Sequence, residues 1–493
     1  MMNNLLVLPI VIPLLTGIFL IFIRRFIKLQ KWLSISVMIA NAGVSLYILN
    51  RVLSEGIFRL DLGGWSPPFG ILLVADSFSM LLVLTTSIVT IVCLLFSFSS
   101  IEKAYGDKFF YSFVHFLVAG VNGSFLTGDL FNLYVFFEVM LLASYVLIAL
   151  GGEKRQLRES IKYVAINILS SWIFLIGIAY LYGTIGTLNM AHLSVRIAEV
   201  GQTPLLTVIS ILFMIVFSLK AGLFLYYWLP GSYGAPPPAV AALFGALLTK
   251  VGIYAMFRFF TLIFYHEPAT THAIIGILAG LTMILGSIGA IAYNDIRQVV
   301  TYNVVIAVGF IFVGLAVATP AAIEGSIYYL IHDMIVKALL FLLAGTMILL
   351  TGTAKMDRMS GLIRNYPALG WMFFIVLLSL AGVPPLSGFI GKMLVGQGAI
   401  ESGHYILLTL AFLSSLFVLY SLLKVFLNCF WGETIISEEE ERPLKKGLLI
   451  PCVLLVIATI GLGIGAESIA VYVNDAANTL LNPDVYIDAV LNE

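Results

Sequence analysis

The chain has 493 residues, of which 61% are hydrophobic and 11% charged, with 26 basic and 26 acidic side chains and a mean hydropathy of +1.06. This composition excludes a soluble globular protein, and the lack of an alternating apolar and polar pattern excludes an outer-membrane β-barrel. The three cysteines, Cys93, Cys429 and Cys452, all lie in apolar runs and read as small buried hydrophobes, not as a disulfide framework or a metal site.

A spanning helix needs about 20 apolar residues. Such segments predict an all-α polytopic membrane protein with fourteen crossings, at about 4–23, 32–50, 76–99, 109–127, 130–150, 160–182, 205–228, 237–261, 272–293, 296–317, 321–350, 368–394, 404–431 and 446–470. Met1 to Ile23 lacks a basic start and a small-residue cleavage site, so it reads as crossing 1 and not as a signal peptide. With the N-terminus outside, seventeen Lys and Arg residues fall in inner loops, Lys103 among them, and only Arg51, Arg59 and Arg196 in outer ones. The positive-inside rule therefore puts both termini outside. Arg51 to Ala75 is long enough for a small outer cap, and Thr184 to Thr203 for a segment along the interface. Glu438 to Glu441 reads as a solvated inner loop, and the acidic tail from Tyr472 as an outer segment.

Charges stranded within the crossings carry the functional signal. Six basic residues fall outside the loops: Lys220, Lys250, Arg258, Lys337, Lys392 and Lys424. An ammonium near a bilayer centre costs about 2.5–3.5 kcal/mol on insertion scales, so each needs a reason to be there. Glu138 sits mid-segment among apolar neighbours, and Lys220 is its natural mate, as a static tie or as a working switch. His332 and Lys337 are five residues apart on crossing 11 and point about 140° apart, which suits a relay between different neighbours better than a metal site. Asp333 either orients His332 or caps the helix. Lys392 follows Ala381-Gly-Val-Pro-Pro-Leu-Ser-Gly-Phe-Ile-Gly, which cannot all stay helical. Lys424 and Arg258 lie near helix ends, where anchoring competes with transport. His115 is either a relay member or a satisfied core histidine. Asp76, Asp129 and Glu467 are further acidic candidates at depth.

Lys220 and Lys250 are thirty apart, and Lys392 and Lys424 thirty-two apart, each pair associated with a broken helix. This spacing suggests two five-helix units, crossings 4–8 and 9–13, with opposite membrane orientation because five is odd. The expected divisions are 1–108, 109–261, 262–431 and 432–493.

The blocks Trp228-Leu-Pro-Gly-Ser-Tyr-Gly-Ala-Pro-Pro-Pro, Lys250-Val-Gly-Ile-Tyr, Asp295-Ile-Arg-Gln-Val-Val-Thr-Tyr-Asn and Pro384-Pro-Leu-Ser-Gly-Phe resemble the antiporter-like subunits of respiratory complex I and of Mrp-type multisubunit sodium/proton antiporters. Gly128-Asp-Leu-Phe-Asn-Leu-Tyr-Val-Phe-Phe-Glu and the chain length look most like the D-type subunits of the Mrp branch. The resemblance implies a carboxylate–lysine switch at Glu138 and Lys220, a relay lysine at Lys250, a central relay at His332 and Lys337, and a terminal lysine at Lys392. Phe244-Gly-Ala-Leu-Leu-Thr-Lys250 lacks the histidine often found there in complex I relatives, which favours the Mrp branch.

The reading is a proton-translocating subunit of a sodium/proton antiporter, not an enzyme, with His115, Asp333 and Lys424 as possible accessory groups. The expected partners are the other subunits of a hetero-oligomeric complex, membrane lipid, protons and Na⁺ held with or within those subunits. No nucleic acid, metal or cofactor is expected, because the chain offers no flavin, haem or iron–sulfur ligands. The alternatives are a proton-pumping subunit of a redox-driven NADH:quinone oxidoreductase, and a scaffold whose charges only lock helices.

Overall fold

The computed structural model describes residues 3–101, 108–201, 203–435 and 441–492. Lys103 and Glu438 to Glu440 lie outside the described residues. Among the described residues, twelve helices are long and apolar enough to cross a membrane. Crossing 4, Phe110–Leu126, is shorter, and crossing 12 is split into Pro367–Ala381 and Ser387–Glu401. Fourteen crossings result.

Local chemistry sets their ends. Proline stands in the first turn of crossings 7, 8, 9, 11 and 12, where its missing N–H costs nothing. Side-chain oxygens of Asp76, Asp129, Thr203 and Thr319 accept the free N–H groups at the starts of crossings 3, 5, 7 and 11. Crossing 10, Ile296–Val317, falls where the sequence places it. Crossing 7 does not: the apolar run continues to Trp228, but the helix Pro204–Ala221 stops at Gly222, whose φ of 79° closes it in a left-handed cap. The chain then turns through Phe224 and makes one short helix, Leu229–Gly234. Crossing 14 ends at Ile464, six residues before its expected end. From Ala466 the chain is amphipathic and continues as a separate helix to Leu481, followed by Pro483–Leu491. The loop between crossings 2 and 3 forms a small antiparallel hairpin, β1 (Phe58–Asp61) and β2 (Leu72–Ala75). The segment after crossing 6 forms a surface helix, Met190–Val200.

Hydropathy cannot say which apolar helices are central, but packing can. Crossing 8, Pro238–Ile263, is wholly enclosed by its neighbours, with crossings 10 and 11 nearly so. Crossings 1, 2, 6, 13 and 14 present Phe19, Trp32, Trp172, Phe412 and Ile457 outwards.

An internal repeat is visible in the backbone. Crossings 6 (Lys154–Ile185) and 11 (Pro320–Thr351) both contain 32 residues, and each ends on a left-handed glycine, Gly186 or Gly352. The Leu130 amide donates to the Leu188 carbonyl and the Met190 amide to that of Gly128. The same pair of bonds joins Ile296 to Ala354 and Met356 to Asn294. Each residue of the second set lies 166 positions after its counterpart. Crossings 5 and 10, which open these sets, are five crossings apart, so the two units enter the membrane from opposite sides.

Candidate functional site

Crossing 8 is not a uniform α-helix. Phe244–Leu248 and Phe259–Ile263 are π-helical, on either side of the α-helical Thr249–Arg258. A π-turn leaves carbonyls without their usual helical partner and is common at functional sites. In the first such turn the Gly245 carbonyl accepts a hydrogen bond from the Lys250 ammonium at 2.9 Å. Glycine is needed there, because a Cβ would lie 2.4 Å from the Phe341 ring of crossing 11.

Lys250 Nζ lies 2.7 Å from Asp333 Oδ2, and both side chains are fully buried. The other oxygen of Asp333 is 3.5 Å from Lys337 Nζ, one helical turn along crossing 11. One carboxylate thus holds two ammonium groups from two crossings. Asp333 therefore does neither of the things its sequence suggests. It lies mid-helix, so it caps nothing, and it serves the lysines and not His332.

His332 faces the opposite neighbour. Its Nδ1 is 2.7 Å from the Ser387 hydroxyl, at the start of the second half of crossing 12, and its ring sits 5.1 Å from that of Tyr329. Lys392 reaches back across the break and donates to the carbonyls of Leu380 at 2.7 Å and Ala381 at 3.1 Å. These are the orphan carbonyls at the negative end of Pro367–Ala381, so the ammonium caps the broken helix. Small residues permit this approach. A Cβ on Gly388 would meet the Ser379 carbonyl at 1.9 Å, and one on Gly391 would meet the Tyr329 Cβ at 2.7 Å.

Glu138 and Lys220 come together, but through an intermediary. The Ser171 hydroxyl donates to the Glu138 carboxylate, while Lys220 Nζ lies 3.4 Å from that same hydroxyl and 5.0 Å from the Phe137 ring centre. The direct ion pair expected from the sequence is absent among the described residues. Ser171 lies on crossing 6, 166 positions before Lys337, and Asn167 lies 166 before Asp333. The repeat thus carries neutral groups in one unit where the other carries the charged pair.

The remaining candidates separate from this file. Lys424 donates to the carbonyls of Ile291 at 3.0 Å and Tyr293 at 3.2 Å, capping the end of crossing 9. His115 is fully buried, and neither ring nitrogen has a hydrogen-bond partner among the described residues. Arg258 pairs with Asp76 at 2.5 Å. Asp129 caps crossing 5, and Glu467 lies in the first turn of the amphipathic helix Ala466–Leu481.

A cavity of about 250 Å³ opens between the loop before crossing 6 and the start of crossing 8, lined by Gln156, Tyr233, Pro237, Arg297, Phe341 and Gly345 among others. One of its lining residues is Phe341, whose ring packs on Gly245, the residue whose carbonyl accepts from Lys250.

Inverted five-helix units, broken helices and a file of buried ionisable groups define a membrane subunit of the ion-translocating class. Residues 127–418 match the family described as NADH:quinone oxidoreductase/Mrp antiporter, TM. The chain belongs to that family. It is 53% identical, over the whole of both chains, to the D-type subunit of the Na(+)/H(+) antiporter of Bacillus subtilis (strain 168). A chain of the Mrp complex from Dietzia sp. DQ12-45-1b superposes with a TM-score of 0.93 at 29% identity, covering 99% of this chain and 100% of that one. A chain of respiratory complex I from Thermus thermophilus gives 0.81 at 24% identity over 97% and 100% of the two chains, a likeness of fold alone.

Proposed function

We propose that this chain is the D-type, proton-translocating subunit of a multisubunit Na⁺/H⁺ antiporter in a bacterial plasma membrane, with both termini outside. Protons pass along Glu138, Lys220, Lys250, His332, Lys337 and Lys392, with Asp333 as the hub and Ser171 and Ser387 as hydroxyl bridges. Residues 109–261 and 262–431 act as its two half-channels. The observation that carries this reading is the Lys250–Asp333–Lys337 cluster, fully buried at the contact of the two units.

That cluster has two ammonium groups for one carboxylate. Loaded, it holds one proton more than charge balance requires; unloaded, it is a neutral arrangement with one ion pair. Neither state leaves an isolated charge in a dry interior, which would be the costly case. Because Asp333 touches both lysines, it can pair with whichever remains charged, and the surplus proton changes crossing without a large movement. Lys392 adds a mechanical element, since its charge caps the first half of crossing 12 through Leu380 and Ala381. Loss of that proton weakens the cap.

Coupling to the Glu138 end is electrostatic. Gly252 brings crossing 8 into backbone contact with Lys220 and Ala221 of crossing 7. Two charges ~7 Å apart at an effective permittivity of ~20 interact by about 2 kcal/mol, enough to shift a proton equilibrium more than tenfold. Charging Lys250 therefore drives Lys220 towards Glu138, and Ser171 is the group that must give way. The cavity behind Phe341 supplies access from the inner side. Sodium is handled with partner subunits, and the redox-driven alternative would use the same file with different partners.

Lys220→Ala in the assembled complex tests the reading. Na⁺-driven proton movement in vesicles is expected to vanish while the complex keeps its full subunit set. Retained antiport would rule this chain out as the proton path, and loss of assembly would favour the scaffold reading. The subunit composition of the native complex separates an antiporter from a redox pump.

A further inference from the structure

The file along crossing 8 does not end at Lys250. Tyr254 and Arg258 follow at intervals of four, so three polar side chains occupy successive turns of one face, each about 6 Å beyond the last. Because both π-turns lie outside this segment, that face is not rotated between Lys250 and Arg258. It leads to the side that carries the β1–β2 hairpin and both C-terminal helices, the outer side in the proposed orientation.

At its end stands a buried cation. Arg258 is 2% exposed and Asp76 1%. The guanidinium is 2.5 Å from Asp76 and 3.3 Å from the Tyr254 hydroxyl, which itself donates to the Phe125 carbonyl at 2.7 Å. Its carbon lies 5.9, 5.3 and 4.9 Å from the ring centres of Phe78, Tyr254 and Tyr486. Tyr486 comes from the last helix, Pro483–Leu491, which closes over the site like a lid. That lid is tied down by Arg59, which donates to the Val490 carbonyl at 2.5 Å. Beside it, Ser77 donates to Asp475 at 2.5 Å.

A buried ion pair is a poor way to stabilise a fold, since the desolvation cost of both charges offsets most of their attraction. It is a good way to place a permanent charge. Arginine keeps its proton at any physiological pH, so unlike the lysines it cannot carry the relayed proton. A guanidinium that keeps its proton, buried on the face that leads outwards from Lys250, raises the barrier to any proton or cation following that face. We propose that Arg258, aligned by Asp76 beneath Tyr486, is an electrostatic seal that prevents protons and metal cations from leaking between the outer surface and Lys250. Exchange with the outside is thereby confined to the unit containing Lys392. This inference rests on the proton file proposed above.

The test uses the complete complex in liposomes, with proton leak down an imposed pH gradient measured without sodium and antiport measured with it. Arg258→Gln is expected to raise the leak about tenfold and to lower the number of sodium ions moved per proton. Arg258→Lys keeps the charge and should hold the leak at the wild-type level. Adding Lys250→Ala to Arg258→Gln should return the leak to baseline. Tyr486→Ala leaves the ion pair in place, opens the lid and should raise the leak about threefold. Wild-type leak in an assembled Arg258→Gln complex would overturn the proposal, as would an equal leak in Arg258→Lys. If Arg258→Gln does not assemble, wild-type leak in Tyr486→Ala overturns it. Lys250→Ala alone, if it retains full antiport, refutes the proton file and not the seal.

Discussion

Replacing Asp333 with asparagine is expected to lower antiport at least about a hundredfold and to weaken the complex by about 3–5 kcal/mol. The substitution keeps the shape and removes the one negative charge that two buried ammonium groups share. Lys250 and Lys337 are then uncompensated, and each can be neutralised only by giving up its proton. A file in which both stations are empty cannot pass a proton along. The double variant Asp333→Asn with Lys337→Met separates the two effects. Removing the second ammonium relieves the stranded charge, so the pair of changes should cost less stability than the sum of the single ones, by about 1 kcal/mol or more. Antiport should not return. Thermal unfolding of the solubilised complex and Na⁺-driven proton uptake read the two quantities separately. An Asp333→Asn complex with more than a third of wild-type antiport would remove Asp333 from the path.

The contrast between Asp333 and its neighbours shows what the sequence can and cannot tell. Lys250, His332, Lys337 and Lys392 stand out because a charge within an apolar run is costly enough to need a reason, and that signal is local. The partner of each charge is not a local property. Asp333 follows His332 in the chain and so invites a local role, yet its contact with Lys250 joins two crossings 83 positions apart. The four-residue spacing to Lys337 was the available clue. Ser171 gives still less warning, because a hydroxyl costs little in a membrane helix and crossing 6 has several. Prolines 384 and 385 announce the break in crossing 12. The break in crossing 7 depends on the left-handed turn at Gly222, inside a run that stays apolar to Trp228. The π-turns of crossing 8 have no composition of their own. The Phe341 ring packs on one of them at Gly245, and at the other the Ser194 hydroxyl donates to the Leu262 carbonyl at 2.6 Å, contacts that no local sequence signal announces. Fourteen crossings and their inverted halves were legible because hydropathy and odd-number topology are global constraints. Arg258 reads from the sequence only as a helix-end residue, since nothing near it in the chain points to Asp76 or Tyr486.

Gly252→Ala is expected to cost at least about tenfold in antiport and about 1–3 kcal/mol in stability, from the addition of a single methyl group. A Cβ at this position would lie 2.5 Å from the Ala221 amide nitrogen and 2.9 Å from both the Ala221 Cα and the Lys220 carbonyl carbon. All three are backbone atoms, so no side chain can swing aside. Crossing 7 itself must move away from crossing 8, and it does so at the residue that bears the Lys220 ammonium. Coulomb energy between the two lysines falls as they separate, and water entering the gap raises the local permittivity, so the coupling weakens on both counts. Gly183→Ala is the matching control. That glycine also lies within a long crossing, but nothing stands within 4 Å of an added Cβ. It should therefore leave antiport unchanged and stabilise the helix by about 0.4–1 kcal/mol. If Gly252→Ala behaves like Gly183→Ala in both measurements, close contact of crossings 7 and 8 is not what links Lys220 to the buried cluster. If antiport falls by more than the loss of stability accounts for, the methyl group has changed the spacing of the charges as well as the packing, which is the result the geometry favours.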